Sequence, residues 1–194
     1  MLTDQESRVL RDFLGSAEIF TSAVNDLMER QLGEVTGSAV TFSQLKLLKM
    51  VSATGGYSVS NLAEFMGVST AAASRAVDRL VKRGLLNRAE AADDRRAVQL
   101  SLTPSGTELL ERYDSAASKA LRGAFESLSA DELRQTGDLL DRLSLRIVRQ
   151  GNGAENLCFR CGIYFRDRCV LRQGGSSACL YHVGKRSSGG KAGG

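Results

Sequence analysis

The first 157 residues contain neither cysteine nor histidine, two side chains widely used in nucleophilic and acid–base catalysis at neutral pH. They also lack a glycine-rich phosphate loop and a serine in a nucleophile elbow. Carboxylate pairs such as Glu108 with Glu111 are typical of solvated helix surfaces. These absences argue against an enzyme in this part of the chain, and we expect a binding protein.

No apolar run is long enough to span a bilayer, and the N-terminal stretch MLTDQESRVLRDF is acidic where a secretory signal would be basic and then apolar. We therefore expect no membrane partner and a cytoplasmic location. In that reducing compartment, clustered cysteines more often form metal or redox sites than disulfides.

The net charge of +4 is unevenly distributed. Residues 151–194 hold seven basic residues against two acidic ones, a net charge of +5, so the remainder carries −1. A body with no net positive charge can bind nucleic acid only if its basic residues are concentrated locally.

Apolar residues at spacings of three and four predict a mainly helical chain. The predicted helices cover 4–32, 42–56, 59–67, 69–84, a segment from Pro104 to about 126, and about 130–149. Thr41 and Ser129 are the expected N-caps of the second and sixth helices. Between the fourth and fifth helices, residues 85–103 have alternating apolar arms around a charged tip, which predicts a β-hairpin.

The stretch 59-VSNLAEFMGVSTAAASRAVDRL-80 has the pattern of a helix-turn-helix. Gly67 would take the turn, and Ala63 would lie where the two helices approach closely. The expected apolar seam consists of Leu62, Met66, Val68, Ala73, Ala76 and Leu80. The second helix would enter the major groove with small or hydrogen-bonding residues, namely Ser69, Thr70, Ala71, Ser74 and Arg75. A helical hairpin within a bundle would show the same seam.

The segment 93-DDRRAVQLSLTPSG-106 resembles the wing of the MarR (multiple antibiotic resistance regulator) family of winged helix-turn-helix repressors. The resemblance extends from residue 1 to about 150 and includes the 84-GLL-86 exit from the fourth helix. It implies a mainly α fold with a small β-hairpin wing, a winged part at about 41–103, and N- and C-terminal dimerisation helices. It also implies a DNA-binding wing tip of Asp94, Arg95 and Arg96, in which Arg96 enters the minor groove and Asp94 orients it. Without the flanking motif, 93–96 would be a solvated turn.

The same resemblance implies the partners. Its members are homodimers that read roughly palindromic operators in double-stranded DNA, and many respond to a small-molecule effector. Independently, the first helix and the segments 104–126 and 130–149 carry more apolar positions than a small winged domain can cover. The apolar positions of the two later segments include Leu109, Leu110, Ala117, Leu121, Leu139 and Ile147. A second copy would cover them, unless all of these helices pack within one chain.

Residues 151–194 depart from the family pattern. Residues 151–186 form a cysteine-rich module, and 187–194 have the composition of a flexible tail. We predict one metal centre per chain, either Zn²⁺ or a [4Fe–4S] cluster. Two ligand sets remain open: all four cysteines, or three of them with the histidine while Cys169 is left over. The candidates are Cys158, Cys161, Cys169, Cys179 and His182. A thiol-redox protein or enzyme using these cysteines is the alternative function, and His182 has the alternative of being an ordinary exposed histidine.

Overall fold

The computed structural model describes residues 3–54, 58–90 and 98–150. Over these residues the chain is mainly α-helical with one two-stranded antiparallel sheet, as predicted. The elements are α1 (Asp4–Thr36), α2 (Phe42–Thr54), α3 (Val59–Met66), α4 (Thr70–Lys82), β1 (Leu86–Glu90), β2 (Val98–Leu102), α5 (Pro104–Ala124) and α6 (Ala130–Gln150). None of the described helices is both long and apolar enough to cross a membrane.

Five of the six predicted helix starts are confirmed, α4 starts one residue later than predicted, and side chains cap the starts. The backbone N–H of Gln44 donates to Thr41 Oγ1 at 3.3 Å, and that of Glu132 donates to Ser129 Oγ at 3.2 Å. Pro104 lies in the first turn of α5, where a backbone N–H would have no partner within the helix, so its absence costs no hydrogen bond. Two hydrogen bonds lower the pKa of Glu132 below its ordinary value. The larger effect comes from the backbone N–H of Ser129 and the smaller one from its hydroxyl. This cap is therefore intact at neutral pH and weakens as pH falls through the lowered pKa.

The first helix is longer than the predicted 4–32. It continues because Leu32 is buried and Val35 packs against the core, so the apolar face extends for another turn. The helix ends at Gly37, whose positive φ of 59° suits glycine. The last turn of α1 contains no basic residue, and Arg112 of α5 donates instead to the Val35 carbonyl oxygen at 3.1 Å.

The two helices of the helix-turn-helix are α3 and α4. Leu62, Ala63, Ala73 and Leu80 are buried between them and the rest of the core, as the seam predicted. Between the helices, Gly67 adopts a positive φ of 64°. The prediction for Val68 is wrong, because this residue is 40% exposed. Its backbone N–H closes α3 by donating to the carbonyl oxygen of Ala63, which is possible without burying the side chain.

The predicted hairpin is formed by β1 and β2. Leu86 lies opposite Leu102, and Arg88 lies opposite Leu100. Leu86 and Leu100 are fully buried, so one face of the sheet closes the core while the other remains exposed. Residues 91–97, the tip between the two strands, lie outside the described residues.

The core explains which helices belong to the winged body. It is built from the end of α1, helices α2 to α5 and the two strands. Four residues that sequence analysis counted toward the apolar surplus pack in this chain's own core: Leu109, Leu110, Ala117 and Leu121. In contrast, α6 has no buried residue. Fewer apolar residues therefore remain uncovered in the single chain than the sequence predicted. They lie mainly on α1 and α6.

Candidate nucleic-acid interface

The N-terminal half of α4 presents several exposed side chains. Thr70, Ala71 and Arg75 are exposed, and Ser74 is half-buried. Ser69 is the N-cap, and its Oγ accepts a hydrogen bond from the backbone N–H of Ala72 at 3.2 Å. The first turn contains no acidic residue, so the partial positive charge of the helix start is not offset there. This end is suited to approach an anionic backbone.

Burial on the opposite side of α4 fixes which residues point outward. Ala73, Val77 and Leu80 are completely buried, and they define the inner face. Ala71, Arg75 and Lys82 are exposed on the opposite side of the helix. The five predicted residues 69–71, 74 and 75 therefore lie together at one end of the helix, and four of them are exposed.

The sequence analysis missed Arg79 and Lys82, both of which are exposed. Their signal was helical spacing, since they follow Arg75 by four and seven positions. Between positions 69 and 88 the chain carries five basic residues and one acidic residue. The local concentration of positive charge that a nearly neutral body needs is therefore found around α4.

The one acidic residue in that stretch is paired. Asp78 of α4 accepts a hydrogen bond from Arg88 of β1, with 3.0 Å between Oδ1 and Nη1. The pair joins the middle of the recognition helix to the first wing strand and partly neutralises Asp78. Because both side chains remain partly exposed, its contribution to stability is small, of the order of ~0.5 kcal/mol.

The predicted wing residues Asp94, Arg95 and Arg96 lie outside the described residues. The strands that carry the tip are described, and they project from the C-terminal end of α4 because β1 starts four residues after this helix ends. The wing and the recognition helix therefore belong to one continuous segment of the chain.

The cysteine-rich module, including Cys158, Cys161, Cys169, Cys179 and His182, also lies outside the described residues. Within residues 3–54, 58–90 and 98–150, no group of three or more histidine, cysteine, aspartate or glutamate side chains could hold a metal.

Two further features adjoin the winged body. An apolar groove of about 530 Å³ lies between the start of α1 and α6, lined by Val9, Leu10, Phe13 and Leu143 with Gln5 and Glu6 at its edge. A second cavity of about 270 Å³ lies between α2 and α5. Its polar lining includes Lys49, which forms an ion pair with Asp114.

Two closely packed helices, a paired-strand wing and long flanking helices define a winged helix-turn-helix protein. The family model described as "MarR family" matches residues 40–98. The uncharacterized HTH-type transcriptional regulator YhbI of Bacillus subtilis is 31% identical over 105 residues, which are 54% of this chain and 68% of that protein. The chain therefore belongs to the MarR family of winged-helix transcription regulators.

Solved structures agree with that assignment. The YusO protein from Bacillus subtilis superimposes with a TM-score of 0.59 at 25% identity, covering 71% of this chain and 96% of that one. A mutant of MarR from E. coli, complexed with operator DNA, gives a TM-score of 0.52 at 25% identity, covering 65% of this chain and 91% of that one. Both structures therefore match about two thirds of this chain.

Proposed function

We propose that the protein is a cytoplasmic, homodimeric repressor that binds a roughly palindromic operator in double-stranded DNA. The observation that carries the proposal is the outer face of α4, where Thr70, Ala71 and Arg75 are exposed beside a helix start free of acidic residues. Small residues let the backbone approach the bases, and an arginine can bind guanine through two hydrogen bonds. The similar MarR mutant from E. coli was solved in a complex with operator DNA, which supports DNA binding by this chain.

The exposed apolar surface supports the dimer. Val9, Phe13 and Phe20 of α1 and Leu139 and Ile147 of α6 are all exposed in the single chain. Monomeric soluble proteins rarely expose contiguous apolar patches of this kind. A second copy related by two-fold symmetry would cover the groove between α1 and α6 and would place two recognition helices about one DNA turn apart.

The DNA-binding proposal is tested by two arginines. Replacing Arg75 or Arg96 with alanine should weaken binding to an operator selected in vitro by about 1–3 kcal/mol while leaving the protein folded. Arg75 is expected to contact a base edge, so its loss should also relax selectivity at one operator position. Fluorescence anisotropy measures the affinities.

Arg8→Ala is the matched control, since Arg8 is an exposed arginine on α1, away from the helix-turn-helix. It should leave operator affinity unchanged. Wild-type affinity in the Arg75 variant would contradict the proposed role of α4, and wild-type affinity in the Arg96 variant would contradict the wing assignment.

A small-molecule effector is part of the proposal. The cavity between α2 and α5 is of a size for a small aromatic or phenolic compound, and Leu102 and Leu110 give it an apolar side. Lys49 and Asp114 pair with each other at its rim. An anionic ligand would compete with Asp114 for Lys49, and this competition would loosen the contact between the two helices.

We also propose that the cysteine-rich module holds one metal centre per chain, Zn²⁺ or a [4Fe–4S] cluster. Four cysteines within 22 residues, and none elsewhere, support this proposal. Thiolates brought close together repel one another unless a cation neutralises them. The alternative is a thiol-redox function that uses the same cysteines without a metal.

Protein purified without air should contain about one zinc ion, or the iron and sulfide of one cluster, for each chain. Elemental analysis and an absorption spectrum distinguish the two. Single substitutions then decide the ligand set. If the four cysteines bind the metal, Cys169→Ser should release it and His182→Ala should not, whereas the histidine-containing set predicts the reverse. Metal-free protein with four freely titrating thiols would refute the metal centre and favour the redox alternative.

A further inference from the structure

The start of α5 is bonded directly to the end of the recognition helix. Thr103, the N-cap of α5, donates from its hydroxyl to the carbonyl oxygen of Gly84 at 2.6 Å. The same oxygen atom of Thr103 accepts from the backbone N–H of Gly106 at 3.0 Å. The backbone N–H of Thr103 donates to the carbonyl oxygen of Leu85 at 3.2 Å. One residue therefore joins two segments that are 19 positions apart in sequence.

The segment on the other side of this junction is the closing turn of α4. The backbone N–H of Leu85 donates to the carbonyl oxygen of Leu80, and that of Gly84 donates to Val81. Gly84 and Leu85 are thus fixed to the last turn of the recognition helix. A contact that fixes Gly84 and Leu85 therefore also fixes the orientation of α4 relative to the rest of the protein.

Gly106 lets the start of α5 approach the backbone of Leu85 more closely than any other residue would allow. It is buried, and a Cβ placed there would lie 2.2 Å from the carbonyl oxygen of Leu85 and 3.3 Å from Cδ2 of Leu102. The first of these neighbours is backbone and cannot rotate away. The contact between α5 and the exit of α4 is therefore a backbone-to-backbone contact, which transmits displacement with little loss.

Farther along, α5 is attached to two other helices of the body, α1 and α2. Asp114 forms its ion pair with Lys49 of α2, and Arg112 donates to the Val35 carbonyl at the end of α1. Its 21 residues span roughly 31 Å at 1.5 Å per residue. The helix therefore connects the recognition helix at one end with α1, which carries the exposed apolar face, along its length.

We propose that Thr103 and Gly106 are positioning residues that fix the orientation of α4 relative to the dimerisation helices, and so determine which half-site spacing the dimer accepts. This inference rests on the proposed function, because spacing has meaning only for a dimer that reads two half-sites. Neither residue contacts DNA in this proposal. A small rotation at the junction displaces a recognition helix without altering the residues that read bases.

The test compares half-site affinity with spacing preference. Full-length protein is titrated against a single half-site duplex and against full operators with the selected spacing, one base pair fewer and one base pair more. Thr103→Val removes the hydroxyl at nearly constant volume. It should leave half-site affinity within about twofold, lower affinity for the selected spacing by roughly fivefold or more, and flatten the preference among spacings.

Two variants provide controls. Thr103→Ser keeps the hydroxyl and should restore the wild-type spacing preference. Gly123→Ala changes the same helix where an added Cβ would meet nothing within 4 Å, and it should behave as wild type. Gly106→Ala should resemble Thr103→Val if it folds, but the conclusion depends only on the two threonine variants.

The outcomes separate this inference from the proposed function. A Thr103→Val protein with the wild-type spacing preference would overturn the inference. An equal loss of affinity for the half-site and for every spacing would also overturn it, because that result would indicate damage to α4 itself. Both results leave operator binding by the wild-type dimer intact. A wild-type protein that binds no operator, or binds as a monomer, would overturn the proposed function and this inference with it.

Discussion

Val9→Asp should convert the protein from a dimer into a folded monomer. Val9 lines the groove between α1 and α6, yet it is 63% exposed in the single chain, so the monomer loses little by its replacement. In the proposed dimer the carboxylate would be buried without a partner, which costs several kcal/mol. Since 1.4 kcal/mol is a factor of ten, we expect the dimer dissociation constant to rise by about a hundredfold or more.

Sedimentation across a range of concentrations measures the association, and circular dichroism checks that the helices are retained. Ile147→Asp is a second variant, because Ile147 lies on α6 and is 66% exposed. Ser22→Asp is the control: it adds the same charge to an exposed position on the polar side of α1. Unchanged dimerisation in both the Val9 and the Ile147 variants would show that this surface is not the interface.

Monomeric protein should also bind the full operator far more weakly than the dimer does, because the two recognition helices no longer bind as one unit. Half-site affinity should be nearly unchanged. This difference distinguishes the Val9 variant from the Arg75 variant, in which affinity for the half-site itself falls.

Local sequence signals were sufficient for the order of the elements and for most of their boundaries. Thr41 and Ser129 each mark a helix start by accepting a hydrogen bond from a backbone N–H three residues later. Pro104 marks one because it has no N–H to donate. These signals are local, so no tertiary information is needed to find them. Alternation between 85 and 103 likewise predicted the hairpin, because one face of each strand is buried. The helix-turn-helix followed from a seam whose neighbouring members are only two to five residues apart.

Long-range contacts could not be predicted in the same way. Amphipathic spacing shows that a helix has an apolar face, but it does not show what covers that face. Leu110 and Leu139 each belong to the apolar face of an amphipathic helix. Leu110 is buried in the chain's own core, whereas Leu139 is exposed. The same applies to Arg112, whose partner Val35 is 77 positions away.

The candidate site was only partly predictable for a related reason. Residues at the start of α4 were predicted as candidates because a helix-turn-helix presents that end to DNA. Arg79 and Lys82 lie beyond the first two turns of the helix, to which that prediction was limited. The pair of Asp78 with Arg88 depends on the angle between α4 and β1, which no pattern in the sequence specifies.

Leu80→Ala should strongly destabilise the fold. Leu80 has no exposed surface, lies in the last turn of the inner face of α4, and its carbonyl oxygen accepts the hydrogen bond that closes the helix at Leu85. Truncating a fully buried leucine removes its transfer free energy and leaves a cavity, which together cost about 2–5 kcal/mol. Because α4 is capped at both ends, we expect the helix and its neighbours to relax only partly into the space.

Urea denaturation gives the free energy of unfolding, and the protomer concentration must be held constant because association contributes to apparent stability. Leu80→Met should cost less than about 1.5 kcal/mol, since it nearly conserves volume. Lys82→Ala, an exposed substitution on the same helix, should change stability by no more than about 0.5 kcal/mol. A loss below about 1 kcal/mol for Leu80→Ala would mean that the helix-turn-helix repacks around the cavity, contrary to the rigid support for the recognition helix inferred above.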